Sequence, residues 1–426
     1  MKCSIISIGT ELSLGLITDS NSAFIAGRLS EFGIECNYMF TVPDSTEEII
    51  NAVKSAIVHS DITIVSGGLG PTDDDMTRAA VTEALGKKLV KKEELDPTSL
   101  KFIRTKRTKE VNERLLRQSH IPEGSVPIIP RIGSASGFRV ELPEGKFLFS
   151  IPGVPKEMRS MFVEDILPFL KEMAFSAKGN IRGTKIRKST LLTTDISETE
   201  IEERIKDLVW EAKKDYIDIG ITATPGLIKI ILVERTQKTG KGKDNLKVFE
   251  EKISRRLGSY VYGRGNTLIS DNLKDAVEAV GSPVTISAAE SITGGLISSI
   301  ITDTPGSSGF FKGSVVSYSE SAKEKILGID PALIKSRGAV SREVCIAMAD
   351  NVRSLFDTDY SLSVTGYAGP EYEGDNFGQV FCCIKGPSGY SRVFEKKFLG
   401  NRTEIKFRTT QFVLNELRNA IKNRGR

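Results

Sequence analysis

The stretch Ile62–Thr77 constrains the fold of this chain more than any other segment. It reads ITIVSGGLGPTDDDMT, which is a β-branched run that ends in glycines and is followed by three carboxylates. In an open α/β sheet, ligands bind at the carboxyl ends of the strands, where glycines let the backbone approach a phosphate closely. This pattern predicts a doubly wound α/β domain that binds an anion at Gly67, Gly68 and Gly70.

The aspartates after these glycines predict a divalent metal ion. Asp73, Asp74 and Asp75 would repel a bare phosphate, whereas a cation such as magnesium could lie between the two negative groups. The alternative interpretation is that the aspartates cap a helix and favour its positive end. We favour the metal site, because capping a helix needs one carboxylate and not three.

Two other strand-to-turn junctions accompany this loop. The predicted strand at 2–9 leads into a turn that holds Glu11, and the predicted strand near 147–151 leads into a turn that holds Gly153. With a further predicted strand at 36–42 and helices between the strands, the first segment alternates strand and helix. This alternation is typical of a doubly wound sheet, which gathers its ligand-binding turns at one edge.

The length of 426 residues exceeds what one hydrophobic core organises, so two or three domains are expected. We place the domains at 1–171, 172–262 and 263–426. The middle segment combines predicted strands with a helix that starts at a capping box of Ser197 and Glu200, which indicates a small α+β unit. The third segment again reads as α/β.

Composition argues against several functional classes. A formal charge of +4 is small for this length, so neither nucleic acid nor an anionic membrane is an expected partner. No apolar run is long enough for a transmembrane helix. The five cysteines include no C-x-x-C spacing, which predicts a reducing cytoplasm and argues against a zinc site.

The two histidines, His59 and His120, both lie in the first segment. A serine nucleophile in the third segment therefore needs a different base. Ser291 lies at a predicted strand-to-helix turn before two glycines, which suits a nucleophile close to backbone N–H groups. Lys323 is a candidate base, because burial lowers the pKa of a lysine, and Tyr318 is a candidate proton relay. The alternative is that Ser291 caps a helix, which is a common role of serine.

Four motifs of the first segment, in the order GTEL, DSN, GGLGPT and IPGVP, resemble the CinA family. The first domain of that family has the MoaB/Mog molybdopterin-binding fold. The resemblance implies a pyrophosphatase that acts on ADP-ribose and depends on a divalent ion of the Mg, Mn or Co class. The implied metal ligands are Asp74, Asp75 and Glu11, and the implied substrate-binding residues are Gly67, Gly68, Gly70, Thr72 and Gly153.

The middle segment resembles the KH-type domain of CinA proteins. A KH domain that binds RNA needs a Gly-x-x-Gly clamp, and no such clamp stands at a predicted helix junction here. The resemblance therefore implies a spacer or dimer-forming role for this segment.

The third segment resembles the C-terminal PncC-type module of CinA proteins through the motifs AESITGG at 289–295, YSESAK at 318–323, GAVS at 338–341 and TGYAGP at 365–370. The resemblance implies hydrolysis of nicotinamide mononucleotide to nicotinate mononucleotide and ammonia, without a cofactor. The family nucleophile falls on Ser291, and its assisting pair falls on Tyr318 and Lys323. The implied substrate-binding residues are Thr293, Gly294, Gly295, Thr365, Gly369 and Arg402.

Three features of the third segment depart from the family pattern, and in the first segment Pro130 and Arg131 stand where the family usually has asparagine before the loop 133–137. Ile292 stands where the family motif usually has cysteine, and Lys406 stands where the family often has arginine. The loop 371–376 carries carboxylates where the family loop is rich in glycine. Because Ser291 and Lys323 are retained, the amidase hypothesis stands.

The expected protein is a bifunctional hydrolase of pyridine-nucleotide salvage in the cytoplasm. Its expected partners are the small molecules nicotinamide mononucleotide and ADP-ribose, and the resemblance implies a homodimer. One alternative is that one or both sites are inactive and the chain acts as a binding or regulatory partner in competence or the DNA-damage response. Another alternative is a molybdopterin-binding protein, which rests on fold analogy alone.

Overall fold

The computed structural model describes residues 1–72, 74–95, 117–176, 185–236, 244–369 and 376–423 of the chain. They belong to two compact units, of which the first comprises Met1–Arg187 and Arg235–Gly240, and the second comprises Lys188–Glu234 and Lys241–Arg426. None of the described helices combines the length and the apolar composition that a membrane span requires.

The first unit contains a six-stranded sheet with helices on both faces. The strands of this unit are β1 (Lys2–Ile8), β2 (Glu35–Val42), β3 (Ile62–Ser66), β4 (Leu89–Lys91), β5 (His120–Pro122), β6 (Val126–Ile128), β7 (Gly137–Leu142) and β8 (Lys146–Ile151). Strands β4 and β5 form a separate short pair, and the other six form the sheet. The helices of this unit are α1 (Thr10–Ser13), α2 (Ser20–Ser30), α3 (Thr46–His59), α4 (Thr77–Ala84), α5 (Pro155–Met161) and α6 (Leu167–Ser176).

The large sheet has the order β2-β1-β3-β8-β7-β6, in which the first four strands are parallel and the last two are antiparallel. Helices α3 and α4 contribute to the apolar core on one face, and α2, α5 and α6 contribute to the core on the other. Because both faces are covered, β3 is buried along its whole length, which explains its β-branched run. The predicted doubly wound α/β fold is confirmed for this unit.

The first sheet of the second unit has four strands. It contains β9 (Lys185–Thr193), β10 (Ile217–Thr224), β11 (Leu227–Thr236) and β12 (Val261–Arg264), together with α7 (Glu198–Lys214) and α8 (Asn245–Leu257). The strand order is β10-β11-β9-β12. Ile201, Ile205 and Leu208 recur at helical spacing in α7 and enter the core. The Ser197 hydroxyl accepts a hydrogen bond from the N–H of Glu200 at 3.1 Å, so the predicted cap is confirmed.

The second sheet of this unit has five strands in the order β14-β13-β15-β16-β17. The strands are β13 (Ile286–Glu290), β14 (Phe311–Val316), β15 (Tyr360–Gly366), β16 (Gln379–Lys385) and β17 (Ser391–Lys397). The helices are α9 (Ile269–Glu278), α10 (Leu296–Thr302), α11 (Glu320–Lys325), α12 (Pro331–Arg337), α13 (Arg342–Phe356) and α14 (Arg402–Lys422).

Strand β13 lies between two parallel neighbours, β14 and β15, and β16 and β17 continue the sheet in antiparallel fashion. Glu290 at the end of β13 pairs with Val316 on one side and Val364 on the other. The carboxyl ends of the three parallel strands therefore lie at one edge of the sheet, and this edge carries the candidate serine.

The two sheets of the second unit are joined by specific polar contacts. Arg418 of α14 donates a hydrogen bond to the Tyr262 carbonyl at 2.9 Å. Lys396 of β17 pairs with the Asp195 carboxylate at 2.9 Å, and Asp195 has a left-handed φ of 59°. Helix α14 thus connects the middle domain to the C-terminal domain.

Candidate functional site

Lys323 lies against the hydroxyl of Ser291 at the edge of the five-stranded sheet. Its Nζ donates a hydrogen bond to Ser291 Oγ at 3.0 Å and another to the Ser317 carbonyl at 2.8 Å. Lys323 is 2% exposed and Ser291 is 8% exposed. Burial lowers the pKa of Lys323, and the nearby Glu320 carboxylate opposes that shift. The structure therefore pairs a shielded serine hydroxyl with a lysine that loses its proton more easily than a solvated one.

Ser291 is the first residue after β13. Its N–H donates a hydrogen bond to the Val364 carbonyl at 3.0 Å, which fixes the turn to the neighbouring strand. Helix α10 begins at Leu296, and Gly295 occupies its N-cap position with a left-handed φ of 96°. The alternative that Ser291 caps this helix is therefore wrong, and Ser291 lies in a strand-to-helix turn as predicted.

Glu290 is a residue of this site that sequence reasoning missed. Its carboxylate is fully buried, and its Oε2 accepts hydrogen bonds from Thr293 Oγ1 at 2.7 Å and from the N–H groups of Gly295 at 3.0 Å and Ile297 at 3.1 Å. Its Oε1 accepts from the N–H of Ser298 at 3.0 Å and from the Ser298 hydroxyl at 2.5 Å. The carboxylate thus binds the N-terminus of α10 and shapes the turn that carries the serine. The sequence feature that indicates Glu290 is a carboxylate directly before a predicted strand-to-helix turn.

Tyr318 lies next to Arg402. Its hydroxyl accepts a hydrogen bond from Arg402 Nη2 at 2.6 Å, and the side chain is 61% exposed. Among the described residues, the Tyr318 hydroxyl makes no hydrogen bond to Ser291 or Lys323. Its role as an assisting group stays a prediction.

Two cations from the start of α14 lie near glycines of the predicted site. A Cβ built on Gly294 would lie 3.6 Å from Lys406 Nζ, and a Cβ built on Gly369 would lie 3.7 Å from Arg402 Nη1. Both glycines have positive φ angles, of 60° and 150°. The acidic residues 371–375 lie outside the described residues. The described part of the edge therefore combines bare backbone with two positive charges.

Thr293 and Thr365 are buried, and the hydroxyl of each donates a hydrogen bond to another group of the protein. The Thr293 hydroxyl donates to Glu290, and the Thr365 hydroxyl donates to a backbone carbonyl in the turn before α13 at 3.1 Å. The side chain of Ile292 is also buried, and its Cδ1 lies 3.0 Å from the position that a Cβ on Gly366 would take. An isoleucine at this position therefore packs against the end of β15.

A cleft of about 570 Å³ lies at the carboxyl edge of the parallel strands in the first unit. Its lining includes the residues that follow β1, β3 and β8. The structure brings together in this cleft all the residues implied for the first site: Glu11, Gly67, Gly68, Gly70, Thr72, Asp74, Asp75 and Gly153.

The glycines of the cleft approach their neighbours too closely to carry side chains. A Cβ built on Gly153 would lie 3.1 Å from Gly67 Cα. Gly68 has a left-handed φ of 64°, and a Cβ there would lie 2.1 Å from Thr77 Oγ1. Thr77 Oγ1 also donates a hydrogen bond to the Gly67 carbonyl at 2.8 Å. Close backbone packing therefore leaves this wall of the cleft bare, as an anion-binding loop requires.

Asp75 fixes the turn that follows the glycines. It accepts hydrogen bonds from the N–H of Gly70 at 2.7 Å, the N–H of Thr72 at 2.8 Å and the Thr72 hydroxyl at 2.5 Å. Helix α4 begins only at Thr77 and has no acidic residue in its first turn. The alternative that these carboxylates cap the helix is therefore wrong for Asp75, and Asp73 lies outside the described residues.

Arg78 is a second residue that sequence reasoning missed. It is buried, and its guanidinium donates to the Leu69 carbonyl at 2.8 Å and to the Ser136 carbonyl at 2.7 Å. Burial lowers the pKa of Arg78 to about 10, while the Asp75 carboxylate opposes that shift. Arg78 thus connects the glycine loop, residues 67–70, to the segment before β7. The sequence feature that indicates Arg78 is an arginine among the small apolar residues of α4.

The charged residues that line the cleft are all acidic within the described part of the chain: Glu11, Asp19, Asp44, Asp74, Asp75 and Glu157. Asp19 accepts a hydrogen bond from the N–H of Ser22, and Asp44 accepts two from Thr10. Burial raises the pKa of Glu157.

The carboxylates of Glu11 and Asp74 form no hydrogen bond or ion pair among the residues that the structure describes, although the backbone carbonyl of each accepts hydrogen bonding from a backbone N–H. No three His, Cys, Asp or Glu side chains of those residues stand close enough to hold a metal by themselves. Magnesium typically binds one or two carboxylates and completes its shell with water and substrate phosphates. Glu11 and Asp74 therefore fit a hard cation that is shared with a bound phosphate.

Three family models match successive parts of the chain. The probable molybdopterin binding domain matches residues 4–172, the damage-inducible protein CinA KH domain matches 188–263, and the CinA C-terminal domain matches 270–421. Together they cover both candidate sites and the domain between them.

Full-length relatives agree with these matches. A CinA-like protein of Dictyoglomus thermophilum is 37% identical over 431 residues, which cover 99% of this chain and 100% of the relative. A protein of Halothermothrix orenii named as competence-damage inducible is 37% identical over 420 residues, which cover 96% of each chain. The crystal structure of a CinA protein from Thermoplasma acidophilum is 32% identical, with a TM-score of 0.35, and covers 38% of this chain and 94% of its own. The three family models and the two full-length relatives show that the chain belongs to the CinA family, with a MoaB/Mog-like domain, a KH domain and a CinA C-terminal domain.

Proposed function

We propose that the C-terminal domain hydrolyses the carboxamide of nicotinamide mononucleotide. The observation that carries this proposal is the 3.0 Å hydrogen bond between Lys323 Nζ and Ser291 Oγ. With Lys323 neutral, Ser291 Oγ attacks the carboxamide carbon and its proton passes to Lys323 Nζ. Lys323 then protonates the departing nitrogen, the C–N bond breaks, and ammonia leaves an ester on Ser291.

Water completes the cycle by attacking the ester. Lys323 takes a proton from the water and returns it to Ser291 Oγ as the C–O bond breaks, which releases nicotinate mononucleotide. The N–H groups of Ile292 and Thr293 directly follow the nucleophile and donate no hydrogen bond to any described residue. They are available to stabilise the oxyanion that forms in both steps.

The charges at the edge of the sheet support a substrate with a phosphate. Arg402 and Lys406 lie beside Gly369 and Gly294, on the same edge as the nucleophile. Arginine and lysine form charge-assisted hydrogen bonds to phosphate oxygens. We assign the phosphate of the mononucleotide to these two cations, with Tyr318 as a neighbouring hydroxyl that Arg402 holds in place.

The test is ammonia release from nicotinamide mononucleotide by the full-length protein, measured across a range of pH. Lys323 must be neutral to act as a base, so kcat/KM is expected to rise with pH and to level off above its pKa. Because burial lowers that pKa, the midpoint should lie below the ordinary lysine value of 10.5. A folded protein that releases no ammonia would contradict the proposal and favour a regulatory role.

We propose in addition that the first domain hydrolyses the pyrophosphate of ADP-ribose with a divalent ion. One cleft combines the bare backbone of Gly67 and Gly68 with carboxylates, and within the described lining no basic side chain is present to bind a phosphate. Glu11 and Asp74 would hold the ion, which would supply the positive charge that pyrophosphate hydrolysis requires. Asp75 holds the turn 70–72 through two backbone N–H groups, and this turn would face the phosphates.

Removal of divalent metal is expected to separate the two activities. Treatment with EDTA should abolish ADP-ribose hydrolysis, and added magnesium, manganese or cobalt should restore it, because the described cleft offers no other cation. Ammonia release should not change, since Ser291 and Lys323 need no metal. Retention of ADP-ribose hydrolysis after full chelation would rule out the metal-dependent mechanism.

Replacement of the two carboxylates that would hold the ion should weaken ADP-ribose hydrolysis at low magnesium concentrations. Glu11→Gln and Asp74→Asn are expected to raise the magnesium concentration needed for half-maximal ADP-ribose hydrolysis. Glu123→Gln is the matched control, because Glu123 is an exposed carboxylate of the same domain and does not line the cleft.

A further inference from the structure

Gln118 is a buried polar residue in the wall of the N-terminal cleft. It lies in the turn Arg117–Ser119 that precedes β5, is 1% exposed and belongs to the cleft lining. Neither its Nε2 nor its Oε1 has a hydrogen-bond partner among the described residues. Buried side-chain amides are almost always hydrogen-bonded, because an unpaired one loses the free energy of its contacts with water. A ligand that supplied these hydrogen bonds would recover that loss.

A second amide of the same lining also has an unused acceptor. Asn21 donates hydrogen bonds from Nδ2 to the Gly153 carbonyl at 2.7 Å and to Ser66 Oγ at 3.3 Å, while its Oδ1 is buried without a partner. The cleft therefore offers neutral amide donors and acceptors in addition to its carboxylates. Such groups suit an uncharged part of a ligand that presents both a donor and an acceptor.

We propose that Gln118 recognises the nucleoside part of a nucleotide bound in this cleft, through a paired donor and acceptor. A planar amide can bind the edge of adenine at N6 and N7 in this way, and it can bind the hydroxyls of a ribose with the same two groups. The choice of a pyrophosphate-linked nucleoside as ligand rests on the proposed function of this domain. Gln118 is a specificity residue in this proposal and takes no part in the reaction.

The test compares wild-type full-length protein with Gln118→Met by calorimetric titration in the presence of magnesium, with the bridging oxygen of the pyrophosphate in each nucleotide replaced by a methylene group so that the protein cannot cleave it. Methionine has a similar length but lacks the amide, so the dissociation constant for ADP-ribose is expected to rise about tenfold. The dissociation constant for inorganic pyrophosphate, which has no nucleoside, should change less than twofold. The unfolding midpoint of the ligand-free variant should stay the same or rise, because an unpaired buried amide has been removed. A purely structural glutamine would instead give a lower midpoint.

Gln411→Met provides the matched control. Gln411 is also buried and has an unpartnered Oε1, but it lies in α14 of the other compact unit. Its replacement should leave the affinity for ADP-ribose unchanged. This control separates loss of a ligand contact from a general effect of replacing a buried amide.

The 6-oxo analogue of ADP-ribose, which carries hypoxanthine in place of adenine, distinguishes the two sources of the hydrogen bonds. If Gln118 contacts the base, wild type should prefer ADP-ribose and the variant should lose that preference. If Gln118 contacts the ribose, the variant should lose affinity for both nucleotides equally.

An unchanged ADP-ribose affinity in Gln118→Met, or an equal loss for pyrophosphate, would overturn the inference. Wild type that binds ADP-ribose without cleaving it would overturn the pyrophosphatase proposal alone, since the binding comparison still tests Gln118. Wild type that binds no ADP-ribose at all would overturn both.

Discussion

Lys323→Met should lower kcat/KM for ammonia release from nicotinamide mononucleotide by about a thousandfold or more, the range expected for loss of a general base. Lys323 is the group that the structure places 3.0 Å from Ser291 Oγ, and both histidines lie in the first compact unit. Methionine fills a similar volume and introduces no unpaired charge, so the fold should survive. Ammonia assays and thermal unfolding of the same preparation would measure the two effects separately.

Lys325→Met is the matched control for this experiment. Lys325 lies in the same helix, α11, but is exposed and contributes nothing to the serine. It should retain wild-type activity, whereas Ser291→Ala should be as inactive as Lys323→Met. An active Lys323→Met protein would mean that another group takes the proton from Ser291, and Tyr318 would then be the next residue to replace.

The second large effect is expected from Glu290→Gln, in both stability and activity. The carboxylate of Glu290 accepts five hydrogen bonds at the N-terminus of α10. A glutamine keeps one oxygen but turns an NH2 group toward backbone N–H donors, which leaves buried donors unpaired. The free energy of unfolding should fall by about 3 kcal/mol, the scale for breaking buried hydrogen bonds to a charged group. Ammonia release should fall with it, because the turn that carries Ser291 loses its anchor.

Urea unfolding and ammonia assays well below the midpoint would test this expectation. Glu278→Gln is a suitable control, because it makes the same chemical change at an exposed position of α9. A Glu290→Gln protein with wild-type stability would show that the amide is accommodated without unpaired donors. Wild-type activity in a destabilised variant would show that Glu290 acts on the fold alone.

Local sequence patterns were sufficient for the parts of the fold that depend on short-range chemistry. The glycine-rich end of β3, the strand-to-helix turn at Ser291 and the cap at Ser197 each follow from residues close together in the chain. The alternation of strands and helices was sufficient for the doubly wound sheet. The gathering of Glu11, Gly153 and the glycine loop at one cleft then follows, because parallel strands end at the same edge.

Contacts between distant segments were beyond the reach of the sequence. Arg78 donates hydrogen bonds to the carbonyls of Leu69 and Ser136, and the pairing of Tyr318 with Arg402 joins residues 84 positions apart. The sequence predicts Asp75 as a metal ligand, with a helix cap as the alternative; its oxygens accept hydrogen bonds from the preceding turn, and its role as a metal ligand stays a prediction. A carboxylate beside glycines suits all of these roles, and only the conformation of the loop distinguishes them.

Lys323 contacts Ser291 only when the parallel strands β13 and β14 pair in the correct register. Ser291 follows β13, while Lys323 is held by the Ser317 carbonyl just beyond β14, and the N–H of Ser317 in turn bonds to the Glu290 carbonyl at 2.8 Å. A slip of one residue between these strands would displace that carbonyl by about 3.3 Å and turn alternate side chains to the opposite face. A chain whose helices were formed but whose strands were misaligned would contain Ser291 and Lys323 without the hydrogen bond between them. The serine–lysine pair therefore depends on the register between β13 and β14 and not on the presence of the two residues alone.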